Sequence, residues 1–349
     1  MKRVRVLIVE DSATSQLFLR SIIGSDPRLE ICGQAASGEE AISQVLSLKP
    51  DVISMDVRLP GMDGLETTRK IMGLHPTPIV IVSSSLSTKA VDLSFSALRA
   101  GALVALPLPE GSLDDEISPT AREMCEQLYH MSQVRVVRQR PMAPVPHRVE
   151  EGELRELRLL GLVASTGGPP ALVKLLNDLG PDFPLAILLV QHITAAFTEG
   201  FCRWLGGVCP QSVQLVQGGE LPLPGHVYLA KADHHLVVGR TTLGLDTGQP
   251  VQNQCPSGSV LFSSMARYRA TESVGVVLTG MGEDGAAGLL ELREAGGYTI
   301  AEDESSAVIF GMPKAAIQIG ASREALPLGS IARRLWALTQ ARLREVQRG

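Results

Sequence analysis

Short apolar runs recur along the chain, each followed by a polar or glycine-containing turn and then by a stretch whose apolar residues return every three or four positions. Near the amino end, Val4 to Val9, Val52 to Met55 and Ile79 to Val82 read as strands, and Ser12 to Ile23, Glu39 to Leu48 and Leu65 to Met72 as helices. This alternation predicts parallel βα units, whose chemistry collects at the carboxyl ends of the strands. Glu10, Asp11, Asp56 and Ser83 all fall at such ends.

The rhythm breaks in VRVVRQRPMAPVPHRVEEGELRELR, where three prolines within six residues remove backbone donors and stiffen the path. We read a linker over 135–158, with a first domain at 1–134 and a second at 159–349. Apolar runs at Leu159 to Ala164, Leu185 to Val190 and Val274 to Leu278 again alternate with helical patterns, so the second domain is also predicted to be α/β and mainly parallel. A last helix is expected near Ser330 to Val346, its arginines forming a solvated face.

Composition narrows the function. A length of 349 residues suits about two domains, and 44% hydrophobic with 20% charged residues supports folded cores in both. The formal net charge of -5 offers no broad field for a polyanion, which argues against a nucleic-acid partner. Five cysteines without a Cys-x-x-Cys spacing fit reduced thiols. No apolar run reaches the roughly 18 residues of a membrane span, so a cytoplasmic protein without membrane insertion is expected.

Two chemistries then stand out. Glu10, Asp11 and Asp56 would repel one another at one sheet edge unless a hard cation such as Mg2+ joined them, with Asp56 the candidate acceptor. The bland alternative for Asp56 is a helix cap. Downstream, Ser165 lies on the glycine turn of LRLLGLVASTGGPPALVKLL, between a buried strand and a helix. A serine hydroxyl needs a base, and His192 also follows an apolar strand. The imidazole needs a carboxylate; Asp284, in LTGMGEDGAAG, is the best placed, while spacing alone leaves Asp246 and Asp303 open. The pair His234-His235 reads as a turn entering a strand, or as part of a cleft lining.

Residues 1 to 125, through Glu10-Asp11, Asp56, LPGMDG and Ser83, resemble the receiver domain of response regulators, a flavodoxin-like (βα)5 fold. The resemblance implies that Asp56 accepts a phosphoryl group from a CheA-type histidine kinase, that Glu10, Asp11 and Asp56 hold Mg2+, and that Ser83 bonds the phosphoryl oxygens. Receivers usually carry Lys-Pro at the end of the fifth strand and an aromatic residue three positions earlier. This chain has Leu108 before Pro109, and Ala105, which predicts an acceptor pocket weakly coupled to output.

From residue 159 to 345, ASTGG, QHITAAFT, LTGMGEDGAAG and GMPKAA resemble the catalytic domain of the CheB chemotaxis methylesterases, a doubly wound, mainly parallel α/β domain. That resemblance implies Ser165 as nucleophile, His192 as general base, Asp284 as its orienting carboxylate, and backbone amides at Met281 and Thr166 near the oxyanion. It implies hydrolysis of glutamyl methyl esters on methyl-accepting chemoreceptors, with no cofactor for the esterase, gating by the receiver, and room for deamidation of receptor glutamines. Where the family commonly has His-Arg-Pro-Ser-Val-Asp, this chain has Gln254-Cys-Pro-Ser-Gly-Ser259. Leu108 and Ser259 motivate a rival reading, a catalytically weakened chemosensory interaction module with an atypical receiver.

Overall fold

The computed structural model describes residues 3–83, 88–109, 118–134 and 156–340. The chain divides into two compact units, 1–140 and 141–349. Most of the expected linker, at 135–155, lies outside the described residues.

In the first unit, strands β1 (Val4–Val9), β2 (Leu29–Ala35), β3 (Val52–Met55), β4 (Ile79–Ser83) and β5 (Val104–Pro107) alternate with helices α1 (Ala13–Ser25), α2 (Gly38–Leu48), α3 (Gly64–Leu74), α4 (Thr88–Arg99) and α5 (Pro119–Met131). The strands form one parallel sheet in the order β2-β1-β3-β4-β5. The helices start where short polar side chains satisfy free amides: Ser37 accepts from Glu40 N, Asp63 from Glu66 N, and Ser118 from Ala121 N just before Pro119. Asp63 therefore caps α3, which removes the helix-cap reading of Asp56. Strand order reverses between β1 and β3, so Glu10 and Asp11 after one meet Asp56 after the other.

The second unit runs β6 (Leu159–Ala164), α6 (Gly168–Leu179), β7 (Ala186–Gln191), α7 (Ala195–Val208), β8 (Ser212–Leu215), β9 (His226–Leu229), β10 (His235–Val238), β11 (Leu243–Asp246), α8 (Gly258–Arg269), β12 (Ser273–Val277), α9 (Ala286–Glu294), β13 (Tyr298–Glu302), α10 (Met312–Gln318), β14 (Glu324–Leu326) and α11 (Leu328–Gln340). Seven of these strands make a parallel sheet in the order β14-β13-β12-β6-β7-β9-β8. The remaining two, β10 and β11, form an antiparallel hairpin that the apolar periodicity does not announce. Central strands β6, β7 and β12 are buried throughout, as continuous apolar runs must be when helices cover both faces. Their neighbours include Leu261, Phe262 and Met265 of α8 and Leu289 and Leu292 of α9.

Two glycines show how tightly this packing is set. Gly167 takes a φ of 77°, which lets β6 turn at once into α6, with Pro169 and Pro170 in the helix's first turn. At Gly288 of α9 a Cβ would lie 2.2 Å from the Ser259 carbonyl oxygen of α8. Gly288→Ala is therefore expected to destabilise the second unit by about 1–3 kcal/mol, the usual cost of overpacking, read as a lowered midpoint in thermal unfolding.

Candidate active site

The order of the central strands decides the site. β6 lies between β7 and β12, so Ser165, His192 and Asp284 come from loops that leave three adjacent strands at their carboxyl ends. Pairing runs to Ala164↔Gln191 on one side, and on the other the Ser165 amide donates to the Thr279 carbonyl at 3.0 Å. The Gln191 side-chain amide ties the first two loops together, donating to Ser165 O and to His192 O, each at 2.9 Å.

His192 and Asp284 meet directly. The His192 Nε2 and Asp284 Oδ2 atoms are 2.8 Å apart, with side chains 7% and 3% exposed. Asp284 accepts three further bonds: from Ser257 Oγ at 2.6 Å, Gly258 N at 2.6 Å and Ser259 N at 3.1 Å. Burial by itself would raise its carboxyl, but the bonds from His192, Ser257 and Gly258 outweigh that and hold it at about 2. Gly258 is the first residue of α8, whose amino-terminal dipole adds to this preference for negative charge. Asp284 thus precedes α9 in the chain while its carboxylate is held by the first amides of α8.

An ionised carboxylate can only accept, so His192 Nε2 carries the proton of the shared bond and the neutral ring keeps its lone pair on Nδ1. Among the described residues the Ser165 hydroxyl makes no hydrogen bond, to His192 or to any other group. The structure brings imidazole and acid together and sets the serine at the neighbouring strand end. Nucleophile–base bonds of this kind commonly tighten only when substrate binds.

Sequence spacing did not distinguish three acids; the fold does. Asp246 ends β11 in the hairpin, opposite His235, and Asp303 turns back to accept from Ser305 N at 3.0 Å. His235 is buried at the start of β10, where its Nδ1 accepts from Ser257 N at 3.1 Å and its Nε2 donates to Gln249 O at 3.1 Å. It supports the Asp284 cradle from behind instead of lining the cleft. Ser259 joins the same cradle, its hydroxyl accepting from Gly285 N at 2.8 Å. These supports were missed in the sequence, where Ser257 and His235 carry no signal beyond their residue type.

A cleft of about 430 Å³ opens beside this pair, lined by His192, Gln252, Asn253, Gln254, Met281, Gly282, Glu283 and Asp284. Thr166 is buried in the turn after Ser165, and Met281 reaches the cleft from the loop after β12.

In the first unit, ligand oxygens of Glu10, Asp11 and Asp56 lie within 4.8 Å of one another. Burial and then the Asp56 charge push Glu10 up to about 7; burial, chiefly, pushes Asp56 to about 6. Among the described residues Asp56 Oδ1 has no hydrogen-bond partner although it is buried. This donor set, all oxygen and crowded with negative charge, fits a hard divalent cation. Ser83 ends β4 at 1% exposure and its carbonyl accepts from Leu108 N at 2.8 Å. Leu108 is therefore held beside Ser83 at the end of β4 and brings no charge there.

Asp284 also predicts how stability should vary with pH. Its carboxyl sits lower in the folded chain than the ordinary 3.8, so its contribution is present above that value and lost as pH falls towards about 2. Urea midpoints measured across that window should fall more steeply for the wild type than for Asp284→Asn.

Comparison with known proteins agrees with the two-unit division. The CheB methylesterase family pattern matches residues 160–335 and the response regulator receiver pattern residues 6–111. The protein-glutamate methylesterase/protein-glutamine glutaminase 2 of Paramagnetospirillum magneticum is 48% identical over 341 residues, covering 96% of this chain and 97% of its own. The corresponding protein of Nitrosospira multiformis is 42% identical over 347 residues, covering 97% and 98%. Among solved structures, the CheB methylesterase catalytic domain of Thermotoga maritima superposes with a TM-score of 0.51 at 32% identity, over 52% of this chain and 98% of that one.

Proposed function

The chain belongs to the CheB methylesterase family and carries a response regulator receiver domain, and from that premise we propose that it hydrolyses glutamyl methyl esters on methyl-accepting chemoreceptors with Ser165, His192 and Asp284. The observation that carries the reading is the buried His192–Asp284 bond at the strand ends that flank Ser165. Ser165 Oγ attacks the ester carbonyl while His192 Nδ1 takes its proton. The resulting imidazolium is stabilised by Asp284 and returns the proton to departing methanol. Backbone amides of Thr166 and Met281 would receive the oxyanion. Water, activated by the same nitrogen, then releases the acyl group as glutamate. A glutamine side chain offers the same carbonyl with ammonia as leaving group, so deamidation uses the same residues. No cofactor is called for in these steps.

The receiver supplies control. Asp56 would accept a phosphoryl group from a CheA-type histidine kinase, with Ser83 bonding the phosphoryl oxygens. A divalent cation, Mg2+ by its oxygen ligands, would be held by Glu10, Asp11 and Asp56 and would offset the charge on those oxygens. In this reading the unphosphorylated receiver restrains the catalytic unit, and the soluble, cytoplasmic setting of its kinase and receptor tails is where it would act. Leu108 withholds the cation that would tie the phosphoryl group to the fifth strand, so the shift between states is small against the roughly 5.5 kcal/mol that a full population switch requires.

Ser165→Ala is expected to lower methanol release from methylated receptor by about 10^6-fold, since the triad acts as a unit. A fluorophosphonate probe should label the wild type at Ser165 and not this variant; an unlabelled wild type would favour the non-catalytic interaction module. Acetyl phosphate with Mg2+ should label the wild type and not Asp56→Asn. In the same assay, deleting residues 1–135 should raise turnover more than phosphorylation does, and equal activation would refute weak coupling.

A further inference from the structure

Glu302 is a carboxylic acid at 1% exposure that the ester chemistry does not use. It is the last residue of β13, next to the strand whose loop carries Asp284. Burying such a group is costly unless its oxygens are bonded, and here both are. Oε2 accepts from Thr279 N at 2.8 Å and Oε1 from Ser306 Oγ at 2.9 Å; Ser306 Oγ in turn accepts from Leu328 N at 2.9 Å. The last paired residues of β12 and β13 are Val277 and Ala301. Beyond them the main chains part, and the Glu302 side chain takes over as acceptor for the Thr279 amide.

Thr279 is where this matters. Its carbonyl accepts from Ser165 N at 3.0 Å, and its hydroxyl donates to Thr166 O at 2.9 Å while accepting from Ile309 N at 2.9 Å. One residue therefore holds the nucleophile's amide, the carbonyl of the following turn residue and the loop that leads to α10. Gly280 follows so closely that a Cβ there would lie 2.8 Å from Ser165 Cβ. A shift of Thr279 must move the Ser165 turn with it.

We propose that Glu302 is a positioning residue for the nucleophile: by accepting the Thr279 amide it fixes the Ser165–Thr166 turn against the His192–Asp284 pair. What it supplies is a hydrogen-bond acceptor, not a charge, because neither donor is ionised. The inference rests on the Ser165 reading above and can be separated from it.

The test uses the full chain and compares Glu302→Gln, Glu302→Leu and Thr279→Val with the wild type. Two rates are read: methanol release from methylated receptor, and fluorophosphonate labelling of Ser165, each corrected for the folded fraction from thermal melts. A displaced turn of the order of 1 Å predicts that Glu302→Leu and Thr279→Val lose about 10–100-fold in kcat and in labelling rate, with KM changed by less than about 3-fold. Glu302→Gln should recover most of both rates, since its amide oxygen can accept from Thr279 N while its amide nitrogen donates to Ser306 Oγ. Thr279→Val keeps the result readable if the leucine variant does not fold. Wild-type rates in both apolar variants would overturn the proposal, as would a glutamine variant as slow as the leucine one. A wild type that labels but releases no methanol would overturn the esterase reading alone, and the labelling rates would still decide the role of Glu302.

Discussion

Keeping the Asp284 carboxylate ionised beneath the surface is the constraint that organises the catalytic unit. Removing a charge from water is expensive, and four donors repay the cost: His192 Nε2, Ser257 Oγ, Gly258 N and Ser259 N. Three of those come from the start of α8, so the helix must dock with its amino end against the loop after β12. The close approach of Gly288 to Ser259 lets α9 come near enough to α8 for that loop to fit. His235, by accepting from Ser257 N, extends the constraint to the hairpin β10–β11. Asp284 is thus coupled to two helices and a hairpin, and its surroundings explain why the proton of the shared bond stays on His192.

The two units solve related problems at the same kind of place. Each is a parallel sheet whose strand order reverses near its middle, opening a crevice at the carboxyl ends. In the first unit the crevice collects three carboxylates; burial chiefly, and then their mutual repulsion, raises Glu10 and Asp56, a set that fits a cation. In the second it collects an alcohol, an imidazole and one carboxylate, and the acid is driven the other way by the donors around it. The same geometry therefore gathers a cluster of oxygen ligands in one unit and a buried histidine–carboxylate pair in the other, according to the residues placed at the strand ends.

Hydrogen bonds to its main chain hold the Ser165 turn in place. Gln191 bonds the carbonyls of Ser165 and His192, and Thr279 bonds the Ser165 amide and the Thr166 carbonyl. The turn is gripped from both neighbouring strands, and among the described residues its hydroxyl has no hydrogen-bond partner. The cleft beside it presents the amides Gln252, Asn253 and Gln254 from a turn in which Gln252 and Asn253 both have positive φ. The segment that departs most from the family pattern in sequence is therefore divided in space: Gln254 faces the cleft, while Ser257 and Ser259 face the buried acid.

The sequence by itself determined the units of the fold and the residues that could react, because apolar runs of strand length followed by glycine turns place what comes next at a strand's carboxyl end. Glu10, Asp11, Asp56, Ser165 and His192 were legible in that way, each adjacent to its own strand. Asp63, as the cap of α3, was not, and Asp284 was only the best placed of three acids until the fold set Asp246 and Asp303 apart from His192. Those assignments depend on which strands become neighbours, and strand order is set by packing between segments far apart in the chain. The hairpin, the Ser257–Ser259 cradle and the buried Glu302 belong to the tertiary structure for the same reason: a lone serine or glutamate has no periodic signature, and only a folded sheet gives it donors to satisfy.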